Sequence, residues 1–134
     1  MKIETNVITV NQGVEKVFSL ISDLNNYKVL FPEEKIKNWE SSSDSCSFLI
    51  KGMSAIQMDI KKRNENDSVE IVSGKTAPFK FNIKIQLEAS QEQVNLTALQ
   101  LTFDADVNPF MKMMVEKPLT NFFNSMVEQV PNHL

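Results

Sequence analysis

Cysteine, histidine and glycine are nearly absent from this chain, and each shortage closes off a kind of chemistry. The one cysteine, Cys46, cannot form an intramolecular disulfide, so no staple holds the fold and an oxidising compartment is not expected. The one histidine, His133, lies second from the end of 134 residues and beyond the helix-breaking Pro131, where chains fray. A histidine there is a poor general base, which removes Ser/His/Asp and Cys/His nucleophile schemes and any His-rich metal site. Three scattered glycines make no phosphate-cradling loop. No motif asks for a cofactor or a metal ion.

Nor does either sign of charge dominate. A net charge of −3 and a pI near 5.2 leave no electrostatic footprint for nucleic acid. The densest basic run, Lys61-Lys62-Arg63, is bracketed by Asp59 and Glu65 and reads as a solvated strand end. No apolar run approaches the length of a membrane span, and the opening MKIETNVITV lacks a signal peptide's apolar core, so a cytoplasmic protein is expected. At 42% hydrophobic and 23% charged residues, the chain has the composition of one globular domain, 1–134, able to bury a real core.

Against these shortages stands one long apolar element. The stretch Asn108 to Val130 carries Val115, Leu119, Phe122, Met126 and Val130 at helical spacing, widened by Phe123 and Val127. Asn108 suits the N-cap and Pro109 the first helical position, while Pro131 ends the run. Such a helix is about 34 Å long and needs an apolar trough. Phe110, Met111 and Met114 sit roughly 100° away from the later stripe. Pro118 between the two stripes predicts a kink, or a break near Glu116 and Lys117; both stripes then read as core, the alternative being that the bend opens space beneath Met113 and Met114.

Upstream, residues 2–10 read as a β-branched strand. Asn11 is placed to cap a helix with Val14, Val17, Phe18, Leu20 and Ile21 on one face; Ser22-Asp23 opens a shorter one through Leu24, Tyr27 and Leu30, ended by Phe31-Pro32. From Lys35 the apolar residues alternate. Strands are expected at Lys35–Ser41, at Cys46, Phe48 and Ile50, at Ile56, Met58 and Ile60, and at Val69 and Ile71. The alternation is cleanest where Phe79, Phe81, Ile83, Ile85 and Leu87 oppose Lys80, Asn82, Lys84, Gln86 and Glu88, the mark of an antiparallel sheet covered on one side. A last strand from Gln93 to Asp106 changes parity, and a bulge near Ala98 would reconcile its halves. The order is a strand, two helices, about six strands and a long helix: an α+β chain whose curved antiparallel sheet of about seven strands wraps the terminal helix.

The segments VNQGVEKVFSLISDLNNYKVLFPE (Val10–Glu33) and NPFMKMMVEKPL (Asn108–Leu119), within that order, resemble small bacterial members of the SRPBCC superfamily, the START-like or birch-pollen-allergen-like proteins, often labelled polyketide cyclase/dehydrase-like. The resemblance covers essentially the whole chain and implies the helix-grip fold. It further implies a cavity between sheet and long helix that takes lipids, sterols, polyketides or other apolar molecules. These segments carry no catalytic motif, so architecture transfers and activity does not.

The residues placed to line such a cavity are Met53, Met58, Phe79, Phe81, Phe110, Met114, Phe122 and Met126, on the inner sheet face or the helix side facing it. Methionine suits adaptable binding surfaces, although core filling is the stronger reading for the set. Trp39 and Tyr27 suit a pocket mouth or ordinary packing. Asp59 and Glu70 fall at solvent parity, Asp104 and Asp106 beside the helix N-terminus, Glu33-Glu34 in a loop, and Cys46 at apolar parity as an inert thiol. The first functional expectation is a carrier or binding protein for a small hydrophobic ligand, with no nucleic-acid partner. A cyclase or dehydratase in the same cavity is the alternative, needing Tyr27 or an inward carboxylate; an interaction module using the sheet edge or helix surface is the third.

Overall fold

The computed structural model describes residues 1–134. Eight strands form one antiparallel sheet: β1 (Lys2–Glu4), β2 (Ile8–Val10), β3 (Ile36–Ser41), β4 (Ser45–Ile50), β5 (Ala55–Asn64), β6 (Ser68–Ser73), β7 (Phe81–Ala89) and β8 (Thr97–Ala105). The order across the sheet is β1-β8-β7-β6-β5-β4-β3, with β2 also paired to β8. Helices α1 (Val14–Ile21) and α2 (Tyr27–Leu30) precede the meander, and α3 (Pro109–Gln129) follows it. No helix is long and apolar enough to cross a membrane.

Burial on one face explains the alternation. Phe81, Ile83, Ile85 and Leu87 on β7 are buried while Asn82 and Lys84 between them are exposed. Phe48 on β4 and Leu99, Leu101 and Phe103 on β8 are buried as well. Helix α3 lies on that dry side: Phe123 meets the Phe103 ring at 5.1 Å between centroids, and Phe122 meets Phe31 at 4.7 Å and Phe48 at 6.3 Å. Trp39 stacks on Phe48 at 5.4 Å, so an aromatic layer fills the space between helix and sheet at the β3 edge.

Four local expectations are corrected. The first strand is broken into β1 and β2, because Thr5–Val7 oppose only two residues of β8, a bulge on the edge strand. Buried Thr5 repairs the ladder there: its N–H donates to the Leu101 carbonyl at 2.9 Å, and its hydroxyl accepts from the Leu101 N–H at 3.0 Å. The bulge expected near Ala98 is absent. β8 pairs with β7 without a register shift from Thr97 to Ala105, and Val94, which suggested the parity change, is 92% exposed in the preceding turn. Helix α1 begins after Gly13 and not at Asn11. Finally, Pro118 does not break α3, which runs as one helix with Asn108 capping the Met111 N–H at 2.8 Å. Both Pro118 and Met114 are exposed, so the carbonyl that loses its ladder partner belongs to a turn on the wet side of the helix.

Candidate ligand cleft

Where α3 parts from the sheet a cleft of about 360 Å³ opens, and it is built from three pieces of chain. The helix supplies Lys117, Asn121 and Ser125 in one row, with Pro118 and Phe122 in the next. The end of β4 and the turn after it supply Ile50, Lys51 and Met53; Gly52 makes that turn possible at φ +85°, with the Met53 N–H donating to the Ile50 carbonyl at 2.8 Å. The turn after α2 supplies Pro32, Glu34 and Lys35, held to the sheet by the Lys51 N–H on the Lys35 carbonyl at 2.7 Å. Ile50, Met53 and Phe122 give the cleft an apolar floor, and the charged side chains stand around it.

A larger hollow of about 770 Å³ lies between α2, the edge strand β3 and His133. None of its lining residues belongs to α3, so it is not the space between the long helix and the sheet. Asn38, at φ 56°, and the register shift between Lys37 and Glu40 distort β3 there, which protects the open edge from pairing with another chain.

The eight residues expected to line a cavity scatter. Met53 and Phe122 line the cleft. Met58, Phe81 and Met126 are buried in the core, and Phe79 is half-buried, edge-on to Phe81 and Phe103 at 6.4 Å. Phe110 and Met114 are corrected outright: they are 71% and 60% exposed. Because α3 stays continuous, the rotation between its two apolar stripes is preserved: of the early stripe only Met111 packs against the core, while Phe110 and Met114 face outward.

The polar residues of the cleft escaped the sequence reading. Lys117, Asn121 and Ser125 recur every fourth position beside the apolar stripe, a signal that could have marked them. Lys35 and Lys51 carried no such signal, since only the fold brings their turns to the helix.

No carboxylate, histidine, lysine or arginine is buried in the interior. Of the 33 buried residues only Thr5, Ser68 and Thr97 are polar or charged, and among the others Tyr27 and Cys46 alone can titrate. The Tyr27 hydroxyl donates to the Ile21 carbonyl at 2.6 Å, and burial pushes its pKa upward. Burial, reinforced by the Asp59 carboxylate, pushes the Cys46 thiol up to about 12, so it stays protonated and unreactive. Asp59 itself accepts from the Ser45 hydroxyl at 2.6 Å on the opposite parity to buried Met58. No group of three or more His, Cys, Asp or Glu side chains converges to hold a metal ion.

A curved antiparallel sheet gripping a long carboxy-terminal helix, with a cleft where they separate, is the START-like helix-grip fold. The chain has that fold, as the SRPBCC resemblance implied. It is similar over 99% of its length to 99% of a START superfamily protein from Mycobacterium smegmatis, at a TM-score of 0.70 and 14% identity. The XoxI protein from Bacillus cereus matches with a TM-score of 0.75 at 12% identity, covering 98% of this chain and 94% of that one. The di-domain ARO/CYC BexL from the BE-7585A biosynthetic pathway matches 98% of this chain with 45% of its own, at a TM-score of 0.71 and 8% identity. No family model and no curated protein matches the sequence.

Proposed function

We propose that the protein binds a small hydrophobic molecule at the cleft between α3 and the β4–β5 turn, acting as a carrier and not as a catalyst. One observation carries this reading: Ile50, Met53 and Phe122 are the apolar lining of a cleft at the junction of helix and sheet, Met53 half-buried and the other two nearly covered, in a volume near the lower end of the range of about 300–1,000 Å³ usual for ligand sites. Affinity would come from covering that floor, with few polar anchors. Met58, Phe81 and Met126 are buried in the core and do not line the cleft. The one carboxylate in the cleft is Glu34, and Tyr27 is committed to Ile21, so the acid–base pair that a cyclase needs has no supplier on the floor. A buried free thiol suits a reducing compartment, and we place the protein in the cytoplasm.

Protein purified under native conditions and extracted with organic solvent should release a defined lipid-like compound by mass spectrometry. The reading is overturned by a clean extract together with no shift of the Met53 methyl resonance across a panel of apolar ligands.

A further inference from the structure

The charges at the cleft are of one dominant sign and have no partners inside the protein. Lys35, Lys51 and Lys117 line it against a single Glu34, although the chain as a whole is net negative at −3. None of these four takes part in an ion pair; the pairs present are Lys2–Glu4, Arg63–Asp44 and Lys112–Glu116. The last of these matters for the cleft, because Glu116, next to Lys117 in sequence, is drawn at 3.7 Å to Lys112. The Asn121 amide and the Ser125 hydroxyl make no intramolecular side-chain hydrogen bond, though asparagine and serine side chains elsewhere in the chain do. Three exposed cationic groups and two neutral donors therefore line one cleft with an apolar floor, without ion-pair or side-chain hydrogen-bond partners in the protein.

We infer that the cleft takes an amphiphile with one anionic head group, its chain on Ile50, Met53 and Phe122 and its head between Lys35, Lys51 and Lys117. This rests on the hydrophobic-ligand reading and narrows it. Ammonium groups on flexible stems attract an anion as point charges without demanding a planar bidentate partner, so carboxylate and phosphate share the required chemistry. Asn121 and Ser125 are placed to donate to head-group oxygens.

The test titrates three probes of equal chain length, decanoate, decyl phosphate and decanol, into the full-length protein at low salt and below their micelle-forming concentrations. The Met53 methyl and Asn121 side-chain amide resonances report the site. At least one anionic probe should bind about ten-fold more tightly than decanol, and the stronger of the two identifies the head group. In the variant Lys35→Gln/Lys51→Gln/Lys117→Gln that advantage should largely vanish while decanol affinity holds. The control Lys61→Gln/Lys62→Gln/Lys84→Gln, with the same net charge, should keep it. Equal binding of decanol and both anions overturns the anionic head group and leaves the hydrophobic cleft standing. An advantage unchanged in the first variant, or lost equally in the control, overturns the role of these lysines. If none of the probes moves Met53, the cleft is not the site, and the reading beneath this one falls.

Discussion

The Tyr27 hydroxyl donates a 2.6 Å hydrogen bond to the backbone carbonyl of Ile21, and neither residue is more than 1% exposed. Ile21 ends α1, where carbonyls lose their helical partners, so the phenol satisfies a buried acceptor that water cannot reach. The same ring meets Phe31 edge-on at 5.9 Å, and Phe31 in turn packs on Phe122 of α3. Tyr27 thus couples the short helices to the long one through its ring and fixes their turn through its oxygen.

Tyr27→Phe should keep the ring packing and orphan the Ile21 carbonyl. Stability should fall by about 1–3 kcal/mol, the cost of an unsatisfied buried acceptor. Urea unfolding followed by circular dichroism should show a lower midpoint at unchanged slope. Ligand affinity at the cleft should not change; loss of binding without loss of stability would return Tyr27 to the functional residues.

Phe122 serves core and cleft together, and truncating it separates the two. Phe122→Ala should cost about 3–5 kcal/mol, because the ring is 5% exposed and the surrounding aromatic layer cannot collapse into the space. Phe122→Leu retains much of the volume and should cost less than half of that. Calorimetric unfolding of both variants checks the order, and a loss below about 1 kcal/mol for the alanine would show that α3 is not gripped at this point.

High pH should expose the two buried titratable groups. A free thiol ionises near about 8.5 in an unfolded chain, whereas folded Cys46 is pushed up to about 12. Tyr27 is shifted in the same direction. Between the unfolded and folded pKa values the unfolded state binds fewer protons, so stability is full below the lower value and falls as pH rises toward the higher. Cys46→Ala should flatten the pH dependence of the urea midpoint between about pH 8.5 and 12 and leave the part due to Tyr27. Labelling by a disulfide reagent should be slow in the native protein and rapid once it unfolds.

The sheet was legible wherever one-sided burial imposes alternation. From Phe81 to Leu87 each inward and outward position is where the sequence placed it. Misreadings arose where an apolar side chain lies outside that rule. Val94 in a turn imitated a strand residue and moved the expected bulge from the first strand to the last. The true irregularity at Thr5–Val7 is marked only by Asn6, a lone strand-disfavoured residue between β-branched Thr5 and Val7. Two of the three residues of the cleft's floor, Met53 and Phe122, were visible in the sequence. The cleft's lysines were not, since their meeting depends on which hairpin end lies opposite which turn of α3, a long-range pairing that leaves no local pattern.

The first half of α3 offers the sharpest contrast between sequence and structure. Phe110, Met113 and Met114 are 71%, 84% and 60% exposed, while the very next residue, Val115, is 5% exposed. One step along the helix turns the side chain by about 100°, from water into the core. Met114→Gln and Phe110→Gln should therefore change stability by no more than about 0.5 kcal/mol, as expected of exposed sites. Val115→Gln buries an amide among apolar neighbours and should cost at least about 2 kcal/mol. Thermal melts of the single variants test this directly. A large loss for Met114→Gln would mean that the helix is rotated or bent so that its early stripe is covered, and the continuous α3 on which the cleft's geometry rests would have to be redrawn.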